Sequence, residues 1–282
     1  MRDAGSRANT SKKVEQRNIY MKNSANPRFG AWLIAAFALL SAALACADTH
    51  AEASPAADAP TVLITGANRG LGLEFARQFA AAGWQVIGTA RKPDKAAELK
   101  ALEVTVMPLD VADTANVEAL AAALDGRAID LLINNAGIFP RVNSIDEINL
   151  DDYNRTLAVN TLGPVIVTRA LLPNLRLGGK KMIVNISSRL GSIELNQSGT
   201  FYGYRESKAA LNMFTKTLAN ELQSEGFICA VIHPGWVQTD MGGKNANLTP
   251  EESISGMRAV IDKLGPDDNG TYWSYSGEQV PW

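Results

Sequence analysis

Cysteine and histidine are scarce in this chain, with two of each in 282 residues: Cys46, Cys229, His50 and His233. Two cysteines do not make a disulfide framework. Two histidines without clustered thiols leave no metal-ligand set. Cys229 sits in the apolar run Ile228-Cys229-Ala230-Val231-Ile232, which reads as a buried thiol. No Gly-x-Ser-x-Gly elbow is present, so the chain lacks the exposed nucleophile of an α/β-hydrolase. No internal repeat is visible, which excludes a solenoid. An excess of positive charge is also missing. The formal net charge is −2, and it hides an asymmetry. Residues 1–45 carry seven Lys/Arg and two acids, a net of +5, which leaves 20 basic and 27 acidic residues for 46–282, a net of −7. An acidic body argues against nucleic acid as a partner.

The positive end precedes an uncharged stretch, residues 29–47, with small residues at Ala43, Ala45 and Ala47. A basic segment, an apolar run and Ala-x-Ala cleavage options make a secretory signal peptide. Met21 opens a signal of more ordinary length, so translation is expected to start there. Three fates are open: cleavage before Cys46 or Asp48, lipidation at Cys46, or retention as a membrane anchor, the run being close to the short limit for a span. Cleavage and retention as an anchor both place the rest of the chain outside the cytoplasm; it stays cytoplasmic if the leader is not used. No twin arginine marks export of a prefolded protein. Residues 48–60, rich in Ala, Pro, Asp and Ser, read as a flexible tether.

From residue 61 onward short β-type runs alternate with helical stretches. Strands are expected at 61–65, 84–89, 104–108, 131–134, 181–187 and 227–233, with an edge strand at 271–276. Helices are expected at 70–82, 116–124, 151–175 and 204–224. Continuous apolar strands between helices indicate a parallel sheet covered on both faces. The expected class is α/β, a single-domain Rossmann fold with a doubly wound sheet.

The first strand runs into Thr65-Gly66-Ala67-Asn68-Arg69-Gly70-Leu71-Gly72. Gly66 permits a tight turn, Gly70 lets the backbone approach a pyrophosphate, and Gly72 lets the helix pack on the sheet. The helix N-terminus then faces phosphates with free amides. A strand before and a helix after supply the context that this mechanism requires.

The spacing Gly-x-x-x-Gly-x-Gly behind Thr65 resembles the short-chain dehydrogenase/reductase family. Further matches follow in order: Asn134-Asn135-Ala136-Gly137, Asn160 within Val159-Asn160-Thr161-Leu162-Gly163-Pro164, Ser187-Ser188, Tyr204-Arg205-Glu206-Ser207-Lys208, and Pro234-Gly235-Trp236-Val237-Gln238-Thr239. The resemblance covers about residues 60–282 and is strongest to the sniffer and C-factor type of carbonyl reductase. It implies that Gly66, Asn68, Arg69, Gly70, Leu71 and Gly72 hold the cofactor. It also implies that Asp110 and Val111 meet the adenine and that Asn134, Ala136, Gly137, Pro234, Gly235, Val237 and Thr239 lie along the dinucleotide.

Charge selects between the two dinucleotides. A carboxylate closing the second strand would repel a 2′-phosphate. That strand ends Gly88-Thr89-Ala90-Arg91-Lys92 instead, and Arg69 sits in the glycine loop. Guanidinium–phosphate pairing therefore favours NADP(H).

Tyr204 and Lys208 are four apart on one expected helix and project from the same face. A nearby ammonium stabilises a phenolate and is expected to lower the Tyr204 pKa toward useful acid/base chemistry. By the resemblance, Lys208 also holds the nicotinamide ribose, Ser188 hydrogen-bonds the substrate oxygen, and Asn160 holds a water in the proton relay. The loop 189–201 is expected to be extended. Phe139, Leu190, Phe201, Trp236 and Met241 fall near motif ends and are candidates for an apolar substrate pocket.

The expected activity is interconversion of a small-molecule carbonyl and alcohol. A non-catalytic nucleotide-binding sensor or scaffold on the same fold is the competing reading. Nucleotide-sugar dehydration or epimerisation is another, against which the short segment after Pro234 counts. The resemblance implies a homodimer through helices 151–175 and 204–224, although monomers occur among sniffer-like members.

Overall fold

The computed structural model describes residues 59–282. The leader and most of the tether expected above lie outside these residues.

The strands are β1 (Thr61–Ile64), β2 (Gln85–Ala90), β3 (Thr105–Pro108), β4 (Leu131–Asn134), β5 (Met182–Ile186), β6 (Ile228–His233) and β7 (Thr271–Ser274). They form one sheet of order β3-β2-β1-β4-β5-β6-β7, and every pairing is parallel. The helices are α1 (Gly70–Ala81), α2 (Ala97–Lys100), α3 (Thr114–Ala123), α4 (Leu150–Leu157), α5 (Gly163–Leu177), α6 (Tyr204–Leu222) and α7 (Pro250–Ile261). This is a doubly wound Rossmann-type sheet in one domain.

Side-chain alternation along each strand feeds two cores. Val62, Ile64, Ile133 and Val184 point to one face and pack with Phe75 and Phe79 of α1 and Ile254 and Met257 of α7. Leu63, Leu132 and Ile183 point to the other, against Leu120 of α3, Leu171 and Leu175 of α5, and Leu218 of α6. Burial on both sides is why these strands read as unbroken apolar runs. Each fully buried Leu, Ile or Phe contributes about 2 kcal/mol. Cys229 belongs to the second core, and burial pushes its thiol up to about 12, so it is inert.

Three elements depart from the expectation, the short helix α2 being one that was not expected. The helix expected as 151–175 is broken by a π turn, Ala158–Leu162, centred on Asn160. Helix α7 was not anticipated, although its start is written in Thr249-Pro250-Glu251-Glu252. Thr249 and Glu252 form a reciprocal capping box, with Pro250 at the first helical position. Arg258 of α7 lies 4.8 Å over the Phe79 ring and donates to the Gln78 carbonyl at 2.8 Å, which ties α7 to α1.

β1 and β4 are neighbours, while the chain leaves them toward opposite edges of the sheet. A crevice opens at such a switch point, beyond the carboxyl ends of the strands. The loops described below meet there.

Candidate active site

The crevice begins with a latch between two strand ends. The Thr65 hydroxyl, just beyond β1, accepts the backbone N–H groups of Asn135 and Ala136, both at 3.0 Å. Asn135 returns the contact through Nδ2, to the carbonyls of Thr65 at 2.9 Å and Gly66 at 3.2 Å. Gly66 sits at φ +66, and a Cβ there would come 3.1 Å from the Ala136 Cα. Arg69 caps α1 with extended backbone and offers no side-chain bond to the first turn, so the leading amides face the groove uncapped.

From this turn a groove of about 600 Å³ runs past Arg91, Asp110 and Val111, along Ala136, Gly137 and Ile138, to Tyr204 and Lys208. Gly66, Arg69, Gly70, Leu71, Gly72, Pro234 and Thr239 line it too. Its volume, free amides and basic Arg91 suit an extended, phosphate-bearing nucleotide. Arg69 is held by Asp240 in an ion pair that is exposed on both sides. Such pairs contribute about 1 kcal/mol or less, so a phosphate can compete for the guanidinium.

Asn134 does not line the groove as expected. It is the last β4 residue and points into the sheet, where Nδ2 donates to Asn185 Oδ1 at 2.8 Å and Thr168 Oγ1 at 3.2 Å. Strand alternation turns the next residue, Asn135, toward the groove, and sequence reasoning passed over it. Asn68 is exposed and lies outside the groove lining. Gly235 and Val237 line the neighbouring cleft instead.

That cleft, of about 910 Å³, adjoins the groove, and Tyr204 lines both. Phe139, Leu190, Phe201, Trp236 and Met241, the candidate apolar residues, all line it, with Ser188, Arg189 and His233. Tyr204 and Lys208 open α6 and are buried. The Phe139 ring lies 4.4 Å from that of Tyr204, and the Lys208 Nζ sits 5.8 Å over the Tyr204 ring centre. Lys208 donates to the Ile186 carbonyl at 2.8 Å, which fixes it beneath the groove.

The electrostatics correct one expectation. Burial pushes the Tyr204 phenol up to about 12, and the adjacent Ser188 side chain offsets only part of this. Lys208 does not hold the phenol down. Its own pKa is lowered to about 8 because the ammonium is desolvated in the same pocket. At neutral pH, Tyr204 is a protonated donor.

Both paired serines line the cleft, but their hydroxyls differ: Ser187 is buried and its Oγ donates to Asn212 Oδ1 at 2.7 Å, whereas Ser188 Oγ accepts from the Leu190 N–H at 3.2 Å. Tyr272 holds Ser188 from behind, its hydroxyl donating to the Ser188 carbonyl at 2.7 Å. Asn160, expected to hold a water, has its carboxamide engaged with the protein. Its carboxamide accepts from Ile138 N at 2.8 Å and donates to Ile138 O at 2.9 Å and Ser207 Oγ at 3.0 Å. The side chain therefore pins the strand-end segment to α6, and the π turn is what brings it there.

His233, at the end of β6, has no task assigned to it by the sequence motifs. Its Nδ1 accepts the Gly235 N–H at 3.1 Å, which leaves the proton of the neutral ring on Nε2. Burial, with Arg189 nearby, lowers its pKa to about 4. In the unfolded chain the ring takes up its proton near pH ~6.5. Between those values the unfolded state binds more protons, so stability falls as pH falls from about 6.5 to about 4. We expect the melting temperature of the wild type to drop through this window more steeply than that of His233→Gln, the full difference approaching about 3 kcal/mol. Superimposable pH profiles would show that the ring titrates normally.

Comparison with known proteins places this geometry. The pattern of the short chain dehydrogenase family matches residues 60–249. The C-signal protein of Myxococcus xanthus is 45% identical over 154 residues, which is 55% of this chain and 93% of that protein. Among solved structures, the NADPH-bound carbonyl reductase from chicken fatty liver is 37% identical with a TM-score of 0.74, covering 79% of this chain and 99% of that one. The carbonyl reductase Sniffer of D. melanogaster is 33% identical with a TM-score of 0.76, covering 79% of this chain and 100% of that one.

Proposed function

The chain belongs to the short chain dehydrogenase family of oxidoreductases, and we propose that it is an NADP(H)-dependent reductase that converts a carbonyl into an alcohol, with Tyr204 as proton donor. One observation carries this reading: Tyr204 stands where the nucleotide-shaped groove meets the apolar cleft, with Ser188 beside it and Lys208 one turn on. The cofactor supplies a hydride. The residues of this chain do the rest. Ser188 Oγ hydrogen-bonds the substrate oxygen and orients it toward Tyr204. Tyr204 Oη gives that oxygen a proton as negative charge develops on it. The phenolate left behind regains its proton from solvent, with the Lys208 ammonium 5.8 Å from the ring centre as the nearby cation. With its pKa pushed up to about 12, the phenol carries at neutral pH the proton that it donates.

NADP(H) is supported by the absence of an acid after β2, by Arg91 in the groove lining, and by the NADPH held by the chicken carbonyl reductase. The test is NADPH and NADH oxidation by purified residues 48–282 over a panel of aldehydes, aromatic ketones and quinones. NADPH-dependent turnover is expected. Arg91→Asp should then shift the kcat/KM ratio of NADPH to NADH by about tenfold or more toward NADH, the value of one charge-assisted phosphate contact. Equal use of both cofactors by the wild type would remove the phosphate-binding role of Arg91.

The basic-then-apolar leader supports an extracytoplasmic location, and fractionation of the native protein would test it.

A further inference from the structure

The loop between Ser188 and Tyr204 has little regular structure of its own, yet it supplies Leu190, Leu195 and Phe201 to the apolar cleft. Its near end is wedged against α6 at Gly191, where an added Cβ would come 2.7 Å from the Lys208 Cβ. Its far end re-enters α6 through Gly203 at φ +77. Between them, one side chain does most of the gathering. Arg205 Nε donates to the Thr200 carbonyl at 2.7 Å, one terminal nitrogen to the Leu190 carbonyl at 3.3 Å, and the other to Ser198 Oγ at 2.9 Å. Its guanidinium also lies 5.9 Å from the centre of the Phe201 ring. Phe201 is held at φ +65, a conformation that disfavours a bulky side chain by about 1 kcal/mol or more. Its ring meets Phe139 at 5.3 Å, and Phe139 meets Tyr204 at 4.4 Å. The loop's aromatic wall therefore reaches the Tyr204 ring through two ring contacts, and its outer member is fixed by a guanidinium that does not itself line the cleft.

We propose that Arg205 is a positioning residue that sets substrate specificity: its three-way hold on residues 190–200 and its stacking on Phe201 shape the cleft for planar aromatic carbonyl compounds and quinones. The inference rests on the carbonyl-reductase reading above. Only a planar fork with several donors spans three acceptors on separate loop residues, so lysine is a poor substitute. Small aldehydes need Ser188 and Tyr204 but not the wall, and their reduction is independent of the clamp.

The test compares wild type, Arg205→Met and Arg205→Lys with NADPH, using 9,10-phenanthrenequinone as the planar substrate and propanal as the small one. For Arg205→Met we expect KM for the quinone to rise about tenfold or more, with kcat for propanal within about twofold and NADPH affinity unchanged. Arg205→Lys should fall between the two. A proportional loss on both substrates would mean that Arg205 serves the fold alone, and no change on either would overturn the proposal. Hydrogen exchange of the amides of residues 192–201 separates this from failure of the enzymatic reading. If the wild type reduces neither compound, exchange that is still faster in Arg205→Met retains the clamp and discards the activity. Unchanged exchange discards the clamp.

Discussion

Replacing Tyr204 with Phe is expected to lower kcat/KM for carbonyl reduction by about a thousandfold, within the range that a positioned general acid contributes. The substitution deletes one hydroxyl and little else. The Phe ring keeps the 4.4 Å contact with Phe139 and the buried position at the head of α6. Lys208 is anchored independently on the Ile186 carbonyl, so the groove floor is undisturbed. NADPH affinity should therefore match the wild type, and thermal stability should hold or rise slightly, because a buried phenol is exchanged for a ring with no polar group to desolvate. The measurements are steady-state turnover, nucleotide titration and a thermal melt of the same preparation. Full activity in Tyr204→Phe would remove the residue from the chemistry and, with it, the proposed proton path.

The same variant separates the enzyme from a nucleotide sensor on the same fold. The C-signal protein of Myxococcus xanthus shares 45% identity with this chain over 154 residues, and its name is that of a signal. A sensor reads occupancy of the groove, which Tyr204→Phe leaves intact. An enzyme reads proton transfer, which it removes. A phenotype that survives the substitution favours the first, and one that is lost favours the second.

The positions of the site were legible in the sequence where a chemical task demands one residue type at one strand or helix boundary. Gly66 and Gly72 beyond β1, Ser188 beyond β5, and the Tyr204–Lys208 pair at the head of α6 are of this kind. What escaped is set by parity or by distant partners. Asn134 and Asn135 are adjacent and identical in chemistry, and only the pleat decides which one enters the sheet and which one latches Thr65. Asn160 is recognisable as a helix interruption, but its partner is the backbone of Ile138, 22 residues away. The Tyr204 pKa depends on how completely the surrounding side chains exclude water, and helical spacing alone predicts the opposite sign. The motifs assign no task to His233 or to Arg205, which fills a variable position between Tyr204 and Lys208, so their roles arise from tertiary contacts: a ring nitrogen facing a backbone amide, and a guanidinium facing three loop acceptors.

Gly72→Ala sets two rules against each other. By intrinsic propensity, alanine inside α1 should stabilise the helix by about 1 kcal/mol. The latch forbids it. A Cβ at this position would overlap the carbonyl oxygen of Gly66 and come within 2.6 Å of Asn135 Nδ2 and 2.9 Å of the Ala67 Cα. Two of these atoms belong to the backbone of the glycine turn, and the third ends a short side chain that is itself tied down. The Asn135 amide cannot retreat without surrendering its bonds to Thr65 and Gly66. Relief therefore requires α1 to move off the turn, which tilts its free amides away from the groove. We expect a net loss on the order of 3 kcal/mol, at the upper end of overpacking effects, and a NADPH affinity at least about tenfold weaker. Gly179→Ala is the control, since its Cβ would meet only Asp130 Oδ1 at 3.5 Å, and it should change stability by about 0.5 kcal/mol or less. Thermal melts with and without NADPH measure both quantities. A Gly72→Ala protein as stable as the wild type and with the same nucleotide affinity would show that α1 is not clamped to β4 through the turn, and the latch would lose its role in building the groove.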